Sequence, residues 1–280
     1  MTAAPEIRPL SLSEVELLLE WARQEGWNPG LNDAEAFFKA DPEGFLGCFT
    51  ADALVAGISA VRYGRSFGFI GLYICRPEYR GRGFGKLIWD AAMRHLAGRM
   101  IGLDGVPQQQ PNYRRMGFEE DYRTIRWSGK IAPHQPSATS VSPISPMMLP
   151  DVIAYDRRSF PAERDTFLHA WLQPPRETMV FIREEAITGY AVLRRCHDGY
   201  KVGPLLADGV REAEELFFAC INKVGGEVLH LDVPETQEAF SRVLLDAGMA
   251  PGFETSRMYK NGSPRIIPQG VFAITTLELG

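Results

Sequence analysis

Apolar and polar positions follow two rhythms along the 280 residues. Val15, Leu18, Leu19 and Ala22 recur at three- and four-residue intervals, the stripe of a helix with one buried face. Ser11 or Ser13 can cap its start, and Ser13 with Glu16 forms a capping box. Asn32 with Glu35 opens a second helix that Asp41-Pro42 ends. The rhythm then shortens. Residues 45–49, 54–62 and 67–75 read as strands separated by turns at Ala51-Asp52 and Gly64-Arg65. A helical pattern from Leu87 to Leu96 follows, then a strand at 100–104, a short helix around 112–116 and a strand near 123–127. Such alternation predicts an α/β fold, an α+β mixed sheet with helices on both faces.

Residues 128–150 break the pattern with repeated proline and serine, the composition of a linker. Beyond it the same order returns. Segments 178–183 and 187–194 parallel the strand pair before Gly64, and 200–206 parallels 67–75. Leu229-His230-Leu231-Asp232 stands where Ile101-Gly102-Leu103-Asp104 stood, and Ala247-Gly248-Met249 where Met116-Gly117-Phe118 stood.

The chemistry concentrates between residues 76 and 86. Arg76, Arg80, Arg82 and Lys86 set four positive charges against Glu78 alone, although the chain carries net −5. Local positive charge on an acidic chain implies a bound polyanion. Gly81, Gly83 and Gly85 lie where a strand turns into a helix, and free N–H groups at a helix start favour phosphate. Two common phosphate loops are excluded. A Walker loop needs glycine where Arg80 stands and Ser or Thr after Lys86, and a dinucleotide fingerprint needs glycine at Lys86.

What remains is Arg80-x-x-Gly83-x-Gly85 after a strand and Pro77-Glu78-Tyr79, which resembles the acetyl-CoA loop of the GNAT superfamily of N-acetyltransferases. The likeness in element order runs from about residue 5 to 128. It implies two tandem GNAT-like folds, the second degenerate: a catalytic domain at 1–130, a linker at 131–146 and a degenerate copy at 147–280. By the same resemblance the backbone of Tyr73, Ile74 and Cys75 aligns the pantetheine arm, and Arg80, Gly81, Arg82, Gly83, Phe84, Gly85 and Lys86 hold the pyrophosphate. The segment Tyr113-Arg114-Arg115-Met116-Gly117-Phe118 resembles the family's Tyr-x-x-x-Gly-Phe, whose tyrosine faces the sulfur and protonates the departing thiolate. A packing role for the Tyr113 ring is the competing reading.

Asp104 ends a strand, where it can orient an ammonium or cap the Gly105-Val106-Pro107 turn. Gln108, Gln109, Gln110 and Asn112 are amide donors for pantetheine or acceptor, or a solvated loop. In the second half the turn at 207–213 has one glycine, and its Asp208 and Glu212 would repel a pyrophosphate, so acetyl-CoA is expected only in the first.

Composition narrows the rest. Cys48, Cys75, Cys196 and Cys220 show no Cys-x-x-Cys spacing and read as free thiols, and the five histidines show no ligand spacing, so no metal is expected. No run approaches the roughly 18 apolar residues of a membrane span and Met1–Leu10 lacks a signal pattern, which points to the cytoplasm and to no membrane partner. Cations clustered at one turn argue against nucleic acid. The expectation is transfer of acetyl from acetyl-CoA to a small-molecule amine, with a homodimer left open and a non-catalytic acyl-CoA sensor as the alternative. The acidic balance favours a cationic amine, while Arg157, Arg158, Arg164 and Arg176 offer anchors for an acidic one.

Overall fold

The computed structural model describes residues 4–51, 53–133, 140–264, 266 and 268–280. The first half runs β1 (Glu6–Pro9), α1 (Leu12–Gln24), α2 (Asp33–Ala40), β2 (Phe45–Thr50), β3 (Ala53–Tyr63), β4 (Phe67–Cys75), α3 (Phe84–His95), β5 (Met100–Gly105), α4 (Gln110–Arg115) and β6 (Glu119–Lys130). The second repeats it as β7 (Val141–Pro143), α5 (Leu149–Asp156), α6 (Asp165–Trp171), β8 (Glu177–Arg183), β9 (Ala186–Arg195), β10 (Tyr200–Ala207), α7 (Val210–Val224), β11 (Val228–Pro234), α8 (Glu238–Asp246), β12 (Ala250–Lys260) and β13 (Val271–Ala273). Asp52 of the expected turn and residues 134–139 of the expected linker lie outside the described residues. Among the described residues no helix is long and apolar enough to cross a membrane.

One local expectation is corrected. The first helix is capped by Ser11, and its box partner is Glu14, not Ser13 with Glu16. Buried Leu10 and Val15 fall at the staple positions on either side of Ser11, and Arg8 holds the Glu14 carboxylate from outside at 2.7 and 2.9 Å. Within the linker, Val141–Pro143 adds an edge strand to β8, a position where proline costs no ladder bond.

The described strands form one sheet in the order β1-β2-β3-β4-β5-β12-β6-β11-β10-β9-β8-β7, with β13 against β10. Only β4–β5 and β10–β11 pair in parallel. The order crosses the expected division at residues 130 and 147, because each half lends a strand to the other. Strand β12 pairs with β5, and β6 pairs with β11.

Two buried ion pairs seal the exchange. Arg257 on β12 donates both Nε and Nη2 to Asp104 on β5 at 2.8 and 2.9 Å. Arg126 on β6 does the same to Asp232 on β11 at 2.7 and 2.9 Å. These are the aspartates that the repeat aligns. Removing one partner of such a pair costs about 3–5 kcal/mol, because a charge is left buried alone.

Beneath the sheet one apolar cluster spans both halves. Phe37 stacks on Trp171 with ring centroids 5.9 Å apart, and Phe160 meets Tyr63 and Phe67 edge-on at 5.0 and 5.6 Å. Residues 274–280 then cross from β10 toward β4. A Cβ at Gly203 would lie 2.3 Å from the Thr275 carbonyl, and one at Gly71 only 2.1 Å from the Glu278 carbonyl, so glycine at both strands admits the crossing segment.

Candidate active site

Strand β4 runs into a 3-10 turn at Pro77–Tyr79 and then the glycine loop. Gly81 and Gly83 take φ of 75° and 88°, the left-handed region that side chains disfavour. Gly83 is the N-cap of α3 and supplies no side-chain cap, so the first amides of a 12-residue helix stay free beside exposed Arg80, Arg82 and Lys86. A Cβ at Gly85 would come within 2.8 Å of the Tyr73 hydroxyl, which explains glycine there by close packing of α3 on β4. Arg80 is fixed by bonds from Nε to the Cys75 carbonyl at 2.9 Å and from Nη2 to Glu25 at 2.5 Å. The Arg82 guanidinium lies 5.5 Å from the Tyr79 ring centre. This geometry fits a diphosphate: bare amides, a positive helix end and exposed cations.

We expect Gly83→Glu to weaken acyl-CoA binding by roughly 10² or more, since a carboxylate near a phosphate costs about 4 kcal/mol at 4 Å separation. Gly83→Ala carries the same φ strain without the charge. Calorimetric titration of both separates the two effects; equal losses would remove the electrostatic argument.

Beyond Ile70 the strands β4 and β5 part, since their ladder ends at Ile70 and Leu103. Leu72 at φ 47° marks a register shift on the β3 side, and β4 residues 71–75 keep an edge free toward the gap. A cavity of about 530 Å³ opens there, walled by Tyr73, Ile74, Cys75, Arg80, Leu103 and Tyr113. Gly81 to Lys86 are not in its wall, and neither is Asn112, whose amide bonds Gln109 at 2.7 Å. Gln108 and Gln109 are in it, whereas Gln110 caps the Gly105 carbonyl at 3.0 Å.

Tyr113 is held as a rigid plate. Trp89 stacks on it at 5.5 Å, Phe118 meets it at 6.2 Å, and Gly105 leaves room for the ring, where a Cβ would lie 3.1 Å from Cδ2. Its hydroxyl has no hydrogen-bond partner among the described residues. Burial pushes the phenol well above its ordinary range, so it keeps its proton.

Asp104 lines the cavity, but both carboxylate oxygens are taken by Arg257. The expectation that it orients an ammonium is therefore corrected, as is the turn-capping alternative. A wholly buried carboxylate needs a fixed cation, and β12 supplies one. The acidic-acceptor reading also fails on geometry. Arg157 pairs with Asp165, Arg158 with Asp208 and Arg164 with Asp156, while Arg176 donates to the Asn32 carbonyl; none reaches the cavity.

The remaining walls escaped the sequence reading. Trp27 follows α1, Phe253 and Thr255 come from β12, and Leu277 and Glu278 come from the crossing segment. Only Leu277-Glu278-Leu279, a carboxylate inside an apolar run, left a mark in the sequence.

The equivalent loop of the second half is filled by its own anions. Glu212 pairs with Arg183 at 2.5 Å, and one of its oxygens sits 3.0 Å from the Cβ position of Gly209, over the start of α7. Asp208 accepts from Tyr155 at 2.9 Å and pairs with Arg158 at 3.2 Å. We expect one acyl-CoA per chain; a calorimetric stoichiometry of two would overturn that.

A sheet opened at parallel β4 and β5, with a glycine loop entering α3 and a tyrosine across the gap, defines an acyltransferase of the GNAT type. Comparison with known proteins agrees. The model of the acetyltransferase (GNAT) family matches residues 12–118, and that of an acetyltransferase (GNAT) domain matches residues 152–272. The holothin acyltransferase of Pseudoalteromonas sp. (strain SANK 73390) is 33% identical over 275 residues, 98% of this chain and 94% of that protein. The chain belongs to the GNAT acyltransferase family, with two GNAT units in tandem. Among solved structures, a Pyrococcus horikoshii protein assigned as an acetyltransferase shares the fold at TM-score 0.83, with 20% identity, 99% of this chain and 96% of that chain covered. A tandem GNAT protein from the clavulanic acid biosynthesis pathway does so at TM-score 0.61, with 14% identity, 94% of this chain and 100% of that chain covered.

Proposed function

We propose that this protein transfers an acetyl group from acetyl-CoA to the amine of a small molecule, using the first unit as the catalytic one. The observation that carries this reading is one cavity whose wall joins Arg80 at the loop, the free edge of β4 and Tyr113. Acetyl-CoA supplies an activated thioester. Helix α3 and the loop cations hold its diphosphate, and the free edge of β4 at 71–75 lines up the pantetheine arm as an added strand. Main-chain N–H groups on that edge stand ready for the charge that develops on the carbonyl oxygen. Tyr113 delivers a proton to the sulfur as the C–S bond opens.

The relative of known name is an acyltransferase for holothin, which supports a small-molecule acceptor here. Release of free thiol from acetyl-CoA across a library of amines tests the reading. Binding of acetyl-CoA without amine-dependent thiol release would make the protein a sensor instead.

A further inference from the structure

We propose that Glu278 is the group that receives the acceptor, binding its ammonium and taking its proton, and that the acceptor is a primary amine carried on an apolar body of aromatic size. The inference rests on the acyltransferase reading above and extends it to the other substrate. Glu278 is 3% exposed, and it lines the cavity beside Gly71 and Leu72, where β4 leaves β5. Its carboxylate accepts no hydrogen bond among the described residues. Its charge is balanced at a distance by buried Arg126, Arg194 and Lys201, while its oxygens are left without a direct partner at the cavity wall.

These cations make their hydrogen bonds to other groups. Arg126 holds Asp232 and the Trp27 carbonyl, Lys201 holds the same carbonyl at 3.1 Å, and Arg194 holds the Thr275 carbonyl at 3.0 Å and faces Asp33 at 3.4 Å. Asp104 is closed off by Arg257. Among the acidic side chains of the wall, Glu25 is bound to Arg80, which leaves Glu278 as the carboxylate open to a ligand.

Its position is fixed on both sides. Ser59 donates to the Glu278 carbonyl at 3.2 Å, Tyr63 to the Leu279 carbonyl at 3.1 Å, and Arg164 to the Thr275 hydroxyl at 2.9 Å. The body of the acceptor is defined by the neighbouring wall. Trp27, Phe253 and Leu277 are apolar, and Phe253 stays 40% exposed, with the Arg126 guanidinium 5.3 Å from its ring centre. Two buried cations on the Trp27 carbonyl hold that loop in place.

The chemistry balances. An alkylammonium is neutral in only about one molecule in 10³ at pH 7, so a proton must leave before nitrogen can attack. Glu278 takes that proton and passes it to water in the cavity. The N–C bond then forms, the C–S bond breaks, Tyr113 gives its proton to sulfur, and the second amine proton returns through cavity water to Tyr113. One proton is released for each amide and thiol formed.

Tryptamine, and tryptophol in which a hydroxyl replaces the amine, are the probes. Wild-type protein is expected to acetylate tryptamine and to bind it roughly tenfold or more tighter than tryptophol, the worth of one charged hydrogen bond. Glu278→Gln is expected to lower kcat/KM for tryptamine by roughly 10² or more, to abolish the preference over tryptophol and to leave acetyl-CoA affinity within twofold. Glu278→Asp, keeping the charge on a shorter arm, should recover part of the rate. Wild-type rates in Glu278→Gln would overturn the role of Glu278. Acetyl-CoA binding with no tryptamine turnover, or equal binding of tryptamine and tryptophol by wild type, would overturn the acceptor class while leaving the cofactor loop intact. Failure of wild type to bind acetyl-CoA at all would instead sink the acyltransferase reading.

Discussion

Tyr113→Phe is expected to lower kcat by roughly 10² or more while the acetyl-CoA affinity and the melting temperature stay near wild type. The ring makes the contacts that hold the site together, with Trp89 stacked at 5.5 Å and Phe118 at 6.2 Å, and phenylalanine keeps them all. What goes is a hydroxyl that bonds nothing else among the described residues. At ordinary pKa values a phenol is weaker than a thiol by about 1.5 units, roughly 2 kcal/mol uphill for the transfer. Burial raises the phenol further, yet it raises a thiolate beside it by the same cause, so a fixed donor at short range can still serve. Single-turnover rates at neutral pH are the measurement. An unchanged chemical step would reduce Tyr113 to a packing residue.

Legibility in the sequence followed the range of the interactions. The β4 strand, the glycine loop and α3 depend on neighbours in the chain, and the pattern of apolar runs and glycines marked each of them. Tyr113 was found through its spacing to Gly117-Phe118, also local. Asp104 was found as a residue and misread as a role, because its partner Arg257 lies 153 positions away. The strand exchange was invisible for a physical reason: the two units are alike, so a last strand satisfies either sheet. The same blindness hid Phe253, Thr255, Leu277 and Glu278, which enter the first unit's cavity from the second. Their local sequence describes strands and a segment, and only the sheet order tells where these land.

A chain ending at Lys130 is expected not to form a stable monomer, even though the exchange alone does not forbid it. Arg126 faces Asp232 in the register in which Arg257 faces Asp104, so a freed β6 can move beside β5 and meet Asp104 with Arg126. The polar seam would then be repaired. The shared core would not. Phe37, Tyr63, Phe67 and Phe69 are each at most 3% exposed, and all four are covered from the second half. Trp171 covers Phe37, Phe160 covers Tyr63 and Phe67, and Arg257 lies 5.0 Å from the Phe69 ring centre. Fully exposing one such side chain costs about 1.5–3 kcal/mol, so the loss for four has an upper bound of about 6–12 kcal/mol. That matches the whole stability of an ordinary domain, about 5–15 kcal/mol. Residues 1–130 alone should therefore aggregate or melt without a cooperative transition, and mixing with residues 131–280 during refolding should restore a one-to-one complex that binds acetyl-CoA. Size-exclusion chromatography with thermal denaturation gives the answer. A soluble 1–130 monomer with a sharp transition would show that the first unit owns its core, and that the second serves it only by closing the acceptor side of the cavity.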